Sequence, residues 1–110
     1  MPRPRHFSPY TLRATRLLGA QIRQARRERR WSTSELAERA GITRPTLHKL
    51  EAGEPTVGLG IAFETAALLG VPLFREDRER LSIDAELTRE RLAVLPQRIR
   101  RPARDVDDDF

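Results

Sequence analysis

Between Thr33 and Ala52 the chain reads TSELAERAGITRPTLHKLEA, a stretch in which small, turn-forming, apolar and cationic residues alternate at fixed spacings. Arg39, Arg44 and Lys49 are its cations, and they belong to the basic half of the molecule. Residues 1–54 carry 12 basic and 5 acidic side chains, a balance of +7, whereas residues 55–110 balance at −2. The basic half is the one expected to meet a polyanion. Catalytic chemistry has no comparable set. The absence of cysteine excludes disulfides, thiolate metal sites and cysteine nucleophiles together. No nucleophile, base and orienting group occur near one another, and no glycine-rich phosphate loop follows a strand. His6 and His48 lack a third ligand at a suitable spacing. No enzymatic activity, metal or cofactor is therefore expected.

The elements that must position these residues are helices, because few aromatics are present and Leu, Ile, Val and Ala are left to build the core. Ser8-Pro9 opens a first helix from Tyr10 to about Arg29, with Leu18, Ile22 and Ala25 at helical spacing. Ser32-Thr33-Ser34-Glu35 has the form of a capping box, in which the serine hydroxyl and the glutamate each satisfy a free backbone N–H. It starts a second helix, Thr33 to Ala40. Gly41 can take the left-handed conformation that ends it, and Thr43 caps a third helix with Pro45 allowed in its first turn. That helix ends at Ala52-Gly53. Gly58 precedes a fourth helix from Leu59 to Leu69, Gly70 stops it, and a fifth is expected to begin near Pro72. Two short helices cross over a tight turn only where the contact residues are small and the turn accepts positive φ, needs that Ala37 and Gly41 meet. Leu36, Ala40, Ile42, Leu47 and Leu50 then supply the buried faces.

Through LAERAGITRPTLHKLEAGE, and in the surrounding helices to about Phe74, the chain resembles the lambda-repressor-like (Cro/CI, or XRE) helix-turn-helix family. The resemblance implies an all-α, five-helix DNA-binding domain in which the Arg44–Glu51 helix lies in the major groove with its N-terminal turn toward base edges. It makes Arg44, Thr46 and Lys49 the base-reading candidates. Arginine and lysine donate to guanine O6 and N7 and threonine meets the thymine methyl, so guanine is expected in each half-site. Pro45 stands where the family often has a polar residue, and it removes one hydrogen-bonding position. Thr33, Ser34, Thr43 and His48 are the backbone-contact candidates. For Thr43 and Ser32, plain N-capping is an equal alternative. Arg26 and Glu51 resemble a family ion pair that ties the first helix to the end of the reading helix, a structural role. Arg3 and Arg5 suit either a minor-groove arm or a solubilising tail.

The chain thus divides into a flexible basic arm (1–9), a helix-turn-helix domain (10–77), a C-terminal helix (78–96) and a flexible tail (97–110). In the C-terminal helix Leu81, Ala85, Thr88, Leu92 and Leu95 share a stripe, a candidate homodimer contact for a protein that binds a palindromic operator. Packing within the chain is the alternative for that stripe, and the fourth and fifth helices are alternative dimer contacts. No membrane segment or signal region is present, and a cytoplasmic location is expected. The segments GEPTVGLG and GVPLF, with LPQRIRRP, further resemble HipB-like antitoxins. That implies an autoregulatory repressor partnered with a HipA-like serine/threonine kinase toxin, against which DVDDDF could order. A free-standing or phage-type XRE regulator, and an interaction module that inhibits a kinase, stand as alternatives.

Overall fold

The first helix, α1 (Pro9–Glu28), begins where the Ser8 hydroxyl accepts a hydrogen bond from the Thr11 N–H at 3.2 Å. Pro9 at its first position costs no bond, because first-turn N–H groups have no helical acceptor. The computed structural model describes residues 6–74 and 78–98. Arg3, Arg5, most of the arm and residues 99–110 of the tail lie outside the described residues, as do residues 75–77 at the end of the expected helix-turn-helix domain. The chain divides into two units, Met1–Arg75 and Glu76–Phe110.

In the first unit, α1 closes without a glycine. Arg30 takes φ 59°, which lets Trp31 N–H reach the Arg26 carbonyl at 3.1 Å and Arg30 N–H reach that of Arg27 at 3.0 Å. This left-handed conformation strains an L residue by roughly 1–2 kcal/mol. The helix α2 (Thr33–Ala40) starts with the Ser32 hydroxyl accepting from Glu35 N–H at 3.1 Å. Only that half of the expected capping box forms. The Glu35 carboxylate bonds Arg39 instead, at 3.2 Å, and the Arg39 guanidinium lies 4.3 Å from the centre of the Trp31 ring. A charged partner that is itself held on an aromatic face outcompetes a reach back to the backbone. At Gly41, φ 71° lets Ile42 N–H bond the Ala37 carbonyl at 2.9 Å, and the chain reverses directly into α3 (Arg44–Glu51).

The helix α4 (Leu59–Leu68) follows a loop from which Val57 packs on the core. Ile22 and Ala25 of α1, Leu36 and Ala37 of α2, Leu47 and Leu50 of α3, and Ala62, Ala66 and Leu69 around α4 are buried together. These include the faces expected from the sequence, with Ala40 and Ile42 half-buried at the edge. The helix expected near Pro72 is not there: residues 71–74 are non-helical. Proline biases the residue before it toward extended backbone and offers no N–H. The segment instead lays Val71 and Leu73 on the core and sets Phe74 edge-on to Phe63, with ring centres 6.2 Å apart.

In the second unit, α5 (Arg78–Val94) is the fifth helix, and no strand occurs among the described residues. The architecture is all-α. At about 100° per residue, Leu81, Ala85, Thr88 and Leu92 share one face of α5, whereas Ile83 and Leu87 fall on the other side. Leu95 lies just past the helix end. Leu81, Leu87 and Leu92 are 46%, 48% and 62% exposed.

Relief of the strained turn at Arg30 has a measurable effect. Replacing Arg30 with glycine is expected to stabilise the protein by about 0.5–1 kcal/mol, the left-handed strain being partly offset by glycine's greater unfolded-chain entropy. Urea denaturation of Arg30→Gly against the parent measures this; a loss of stability would show that the turn is not strained.

Candidate nucleic-acid interface

The C-terminal end of α3 is fixed to α1 by a buried carboxylate. Glu51, 5% exposed, accepts from Arg26 through two bonds, Nε to Oε2 at 2.7 Å and Nη2 to Oε1 at 3.1 Å. The third nitrogen of Arg26 donates to the Trp31 carbonyl at 2.9 Å, so one guanidinium joins α1, the α1–α2 turn and α3. The hydrogen bonds to Glu51 raise the Arg26 pKa above its ordinary value, with desolvation opposing them and the Coulomb attraction of Glu51 adding to them. The pair expected from the sequence is thus present and buried.

Two further features of this joint are not among the sequence expectations. Arg23 donates from Nη2 to the Glu51 main-chain carbonyl at 3.4 Å and from Nε to Oε1 at 3.5 Å, covering the pair from the solvent side. Gly19 lets the backbones touch: a Cβ there would lie 2.5 Å from the Leu50 carbonyl oxygen and 2.6 Å from that of Glu51. Gly53 plays the same part from the other side, where a Cβ would meet the Arg16 Cα at 2.6 Å. A lone glycine inside the helical pattern LLGAQI was the available signal for a close backbone approach.

With its far end held, α3 presents its first turn outward. Arg44, Pro45, His48 and Lys49 are exposed, and Thr46 is half-buried. Neither Arg44 nor Lys49 forms an ion pair among the described residues. The Thr43 hydroxyl caps the helix by accepting from Thr46 N–H at 3.2 Å, and it also bonds the Thr46 hydroxyl at 2.9 Å. Thr43 and Thr46 are therefore one small network rather than two free hydroxyls. Pro45 stands at the second position of α3 and leaves that turn one N–H short. Thr33 and Ser34 open α2, Ser34 exposed and Thr33 half-buried, with their backbone N–H groups in the turn that has no helical acceptors. The structure thus gathers Arg44, Thr46, His48 and Lys49 on one short helix and Thr33 and Ser34 at the start of its neighbour. Among the described residues no three His, Cys, Asp or Glu side chains are grouped to hold a metal ion. No helix there is long and apolar enough to cross a membrane.

Because the Arg26–Glu51 pair is buried, deleting one partner strands the other. Glu51→Ala is expected to destabilise the fold by about 3–5 kcal/mol, with little relief or worsening at high salt, since buried charges are poorly screened. Denaturation at low and high salt measures it. A loss below about 1 kcal/mol, the range of exposed pairs, would contradict the joint's role.

A family model described as a helix-turn-helix domain matches residues 17–81, from the second half of α1 into α5. No curated protein and no solved structure matches the chain. The matched region contains the α2–Gly41–α3 unit, the Arg26–Glu51 joint and all of α4, so that more than half of the chain is accounted for. The chain belongs to the helix-turn-helix domain family, a family of DNA-binding domains.

Proposed function

We propose that this protein is a sequence-specific transcriptional repressor that reads a palindromic operator through α3 and binds it as a homodimer. The observation that carries the reading is the outward face of α3, where Arg44 in the first turn and Lys49 in the last are exposed and form no ion pair among the described residues, on a helix clamped through Glu51. Arg44 and Lys49 donate to guanine O6 and N7, and Thr46 adds a contact of its methyl with thymine. Pro45 restricts its own position to van der Waals contact. Thr33 and Ser34, with Thr43 and His48 beside them, hold the phosphate backbone and fix register.

The dimer contact in this reading is the α5 face of Leu81, Ala85, Thr88 and Leu92, because spacings of four and three residues make a seam for a second helix. A finer reading, supported by GEPTVGLG and GVPLF in the sequence, makes the protein an autoregulatory antitoxin that also engages a HipA-like serine/threonine kinase. Retention of such a kinase, encoded beside this gene, on the immobilised chain supports it. Failure to retain it favours a free-standing regulator.

Arg44→Ala or Lys49→Ala is expected to weaken operator binding by about 1–3 kcal/mol and to relax the preference at one base position, whereas Thr33→Val should weaken all sequences alike. Competition between operator and random duplex separates the two effects. Equal losses on both duplexes for Arg44→Ala would remove it from the readout. Leu81→Glu/Leu92→Glu is expected to shift the protein from dimer to monomer in sedimentation; an unchanged mass would refute α5 as the interface.

A further inference from the structure

The helix α1 carries five arginines against one glutamate, and that glutamate is its last residue. Arg26 is consumed by Glu51. The other four, Arg13, Arg16, Arg23 and Arg27, fall within a sector of about 80° when projected at 100° per residue, and the row is about 21 Å long. Arg13, Arg16 and Arg27 are exposed, and none of them forms an ion pair among the described residues. Arg23 is the exception that marks where the row joins the reading helix, since it bonds the last carbonyl of α3. Arg16 makes the same junction through its backbone, which abuts Gly53.

Helix electrostatics explain only Arg27, which lies in the last turn at the negative end of the helix dipole. No acidic residue occupies the first turn of α1, and cations at Arg13 and Arg16 lie toward the positive end of the helix dipole. Arg13 with Arg16, and Arg23 with Arg27, are like-charged neighbours at three and four residues, which weaken an isolated helix. Such a row is neutralised by a partner rather than from within. Ala20 lies in its middle, above a shallow concavity bordered by Arg23, Gln24, Arg27 and Glu28, and leaves room for a bulky backbone to approach.

We infer that this row is a second DNA contact, in which guanidinium groups of α1 grip the phosphate backbone beside the half-site read by α3. The inference rests on α3 being the reading helix. Guanidinium presents paired donors that match phosphate oxygens, and a duplex offers one charge per ~1.7 Å of axis, so a row of this length meets phosphates in any register. An acidic protein segment is the competing polyanion, and the chain's own DVDDDF is one example. Its Val106 and Phe110 require apolar seats, however, and the only apolar side chain within the row is Ala20. The row therefore suits phosphate.

The test uses the full chain, a random-sequence duplex of about 30 base pairs and the salt dependence of its affinity. In Arg13→Gln/Arg16→Gln/Arg27→Gln, Arg23 is retained because it holds Glu51. The log–log salt slope should become shallower by about 2–3, roughly 0.9 for each lost contact, and affinity should fall at least tenfold on random and operator duplexes alike. A charge-matched control, Arg89→Gln/Arg91→Gln/Arg98→Gln, should leave the slope within about 0.5 of the parent. An unchanged slope in the α1 variant overturns the inference, as does an equal change in the control. Loss of binding to a synthetic DVDDDF peptide with DNA binding intact would also overturn it and would make the row an acidic-peptide site. The two readings fail separately. If Arg44→Ala/Lys49→Ala binds operator normally while the α1 variant loses slope, α3 is not the reader and the row still binds DNA.

Discussion

A carboxylate buried at the end of a short helix is costly unless its oxygens are fully used, and here the Glu51 carboxylate receives three donors from Arg26 and Arg23. Everything else in the first unit is arranged around that joint. Gly19 and Gly53 remove the side chains that would hold α1 and α3 apart, and the Arg26 bond to the Trp31 carbonyl brings the α1–α2 turn into the same junction. Short helices of eight residues have little stability of their own. The joint and the common core supply the rigidity that a reading helix needs if its first turn is to meet base edges in one orientation.

The same economy explains how the exposed residues are freed. Because the clamp uses only Glu51, Arg44 at the other end and Lys49 on the exposed face stay outside it, and the Thr43–Thr46 network orders the first turn without using a charge. The helix α1 contributes through separate faces: one buried in the core, one basic, and one apolar where Ala14, Leu17, Leu18 and Gln21 line a groove with Phe63 and residues 72–74. In the proposed repressor function the buried face of α1 seats α3, and the basic face supplies the inferred phosphate contact.

Much of this was legible in the sequence where the signal is local. The bounds of α2 and α3 follow from Ser32, Gly41 and Thr43, since a cap or a left-handed turn acts within four residues. The Arg26–Glu51 pair was legible through the family resemblance, not through spacing. Contacts between distant segments were harder to see. Gly19 is needed only because Leu50 and Glu51 are brought against it, and Arg23 is distinguished from other arginines only by the Glu51 carbonyl it reaches. The helix expected near Pro72 does not form, because Leu73 and Phe74 are placed by packing on the core and on Phe63. The capping box half-formed for a similar reason: Trp31, outside the motif, holds the Arg39 that takes Glu35 away.

The central claim is that DNA meets this protein at the start of α2 and the first turn of α3. Amide chemical shifts of the isotopically labelled full chain, followed while a duplex from the region upstream of its own gene is added, test it most directly. The account predicts that the largest changes fall on Thr33 to Glu35 and Thr43 to Lys49, with the amides of Ala62 to Leu69 little moved. Saturable changes confined to α4 or α5, with Arg44 to Lys49 unperturbed, would contradict it.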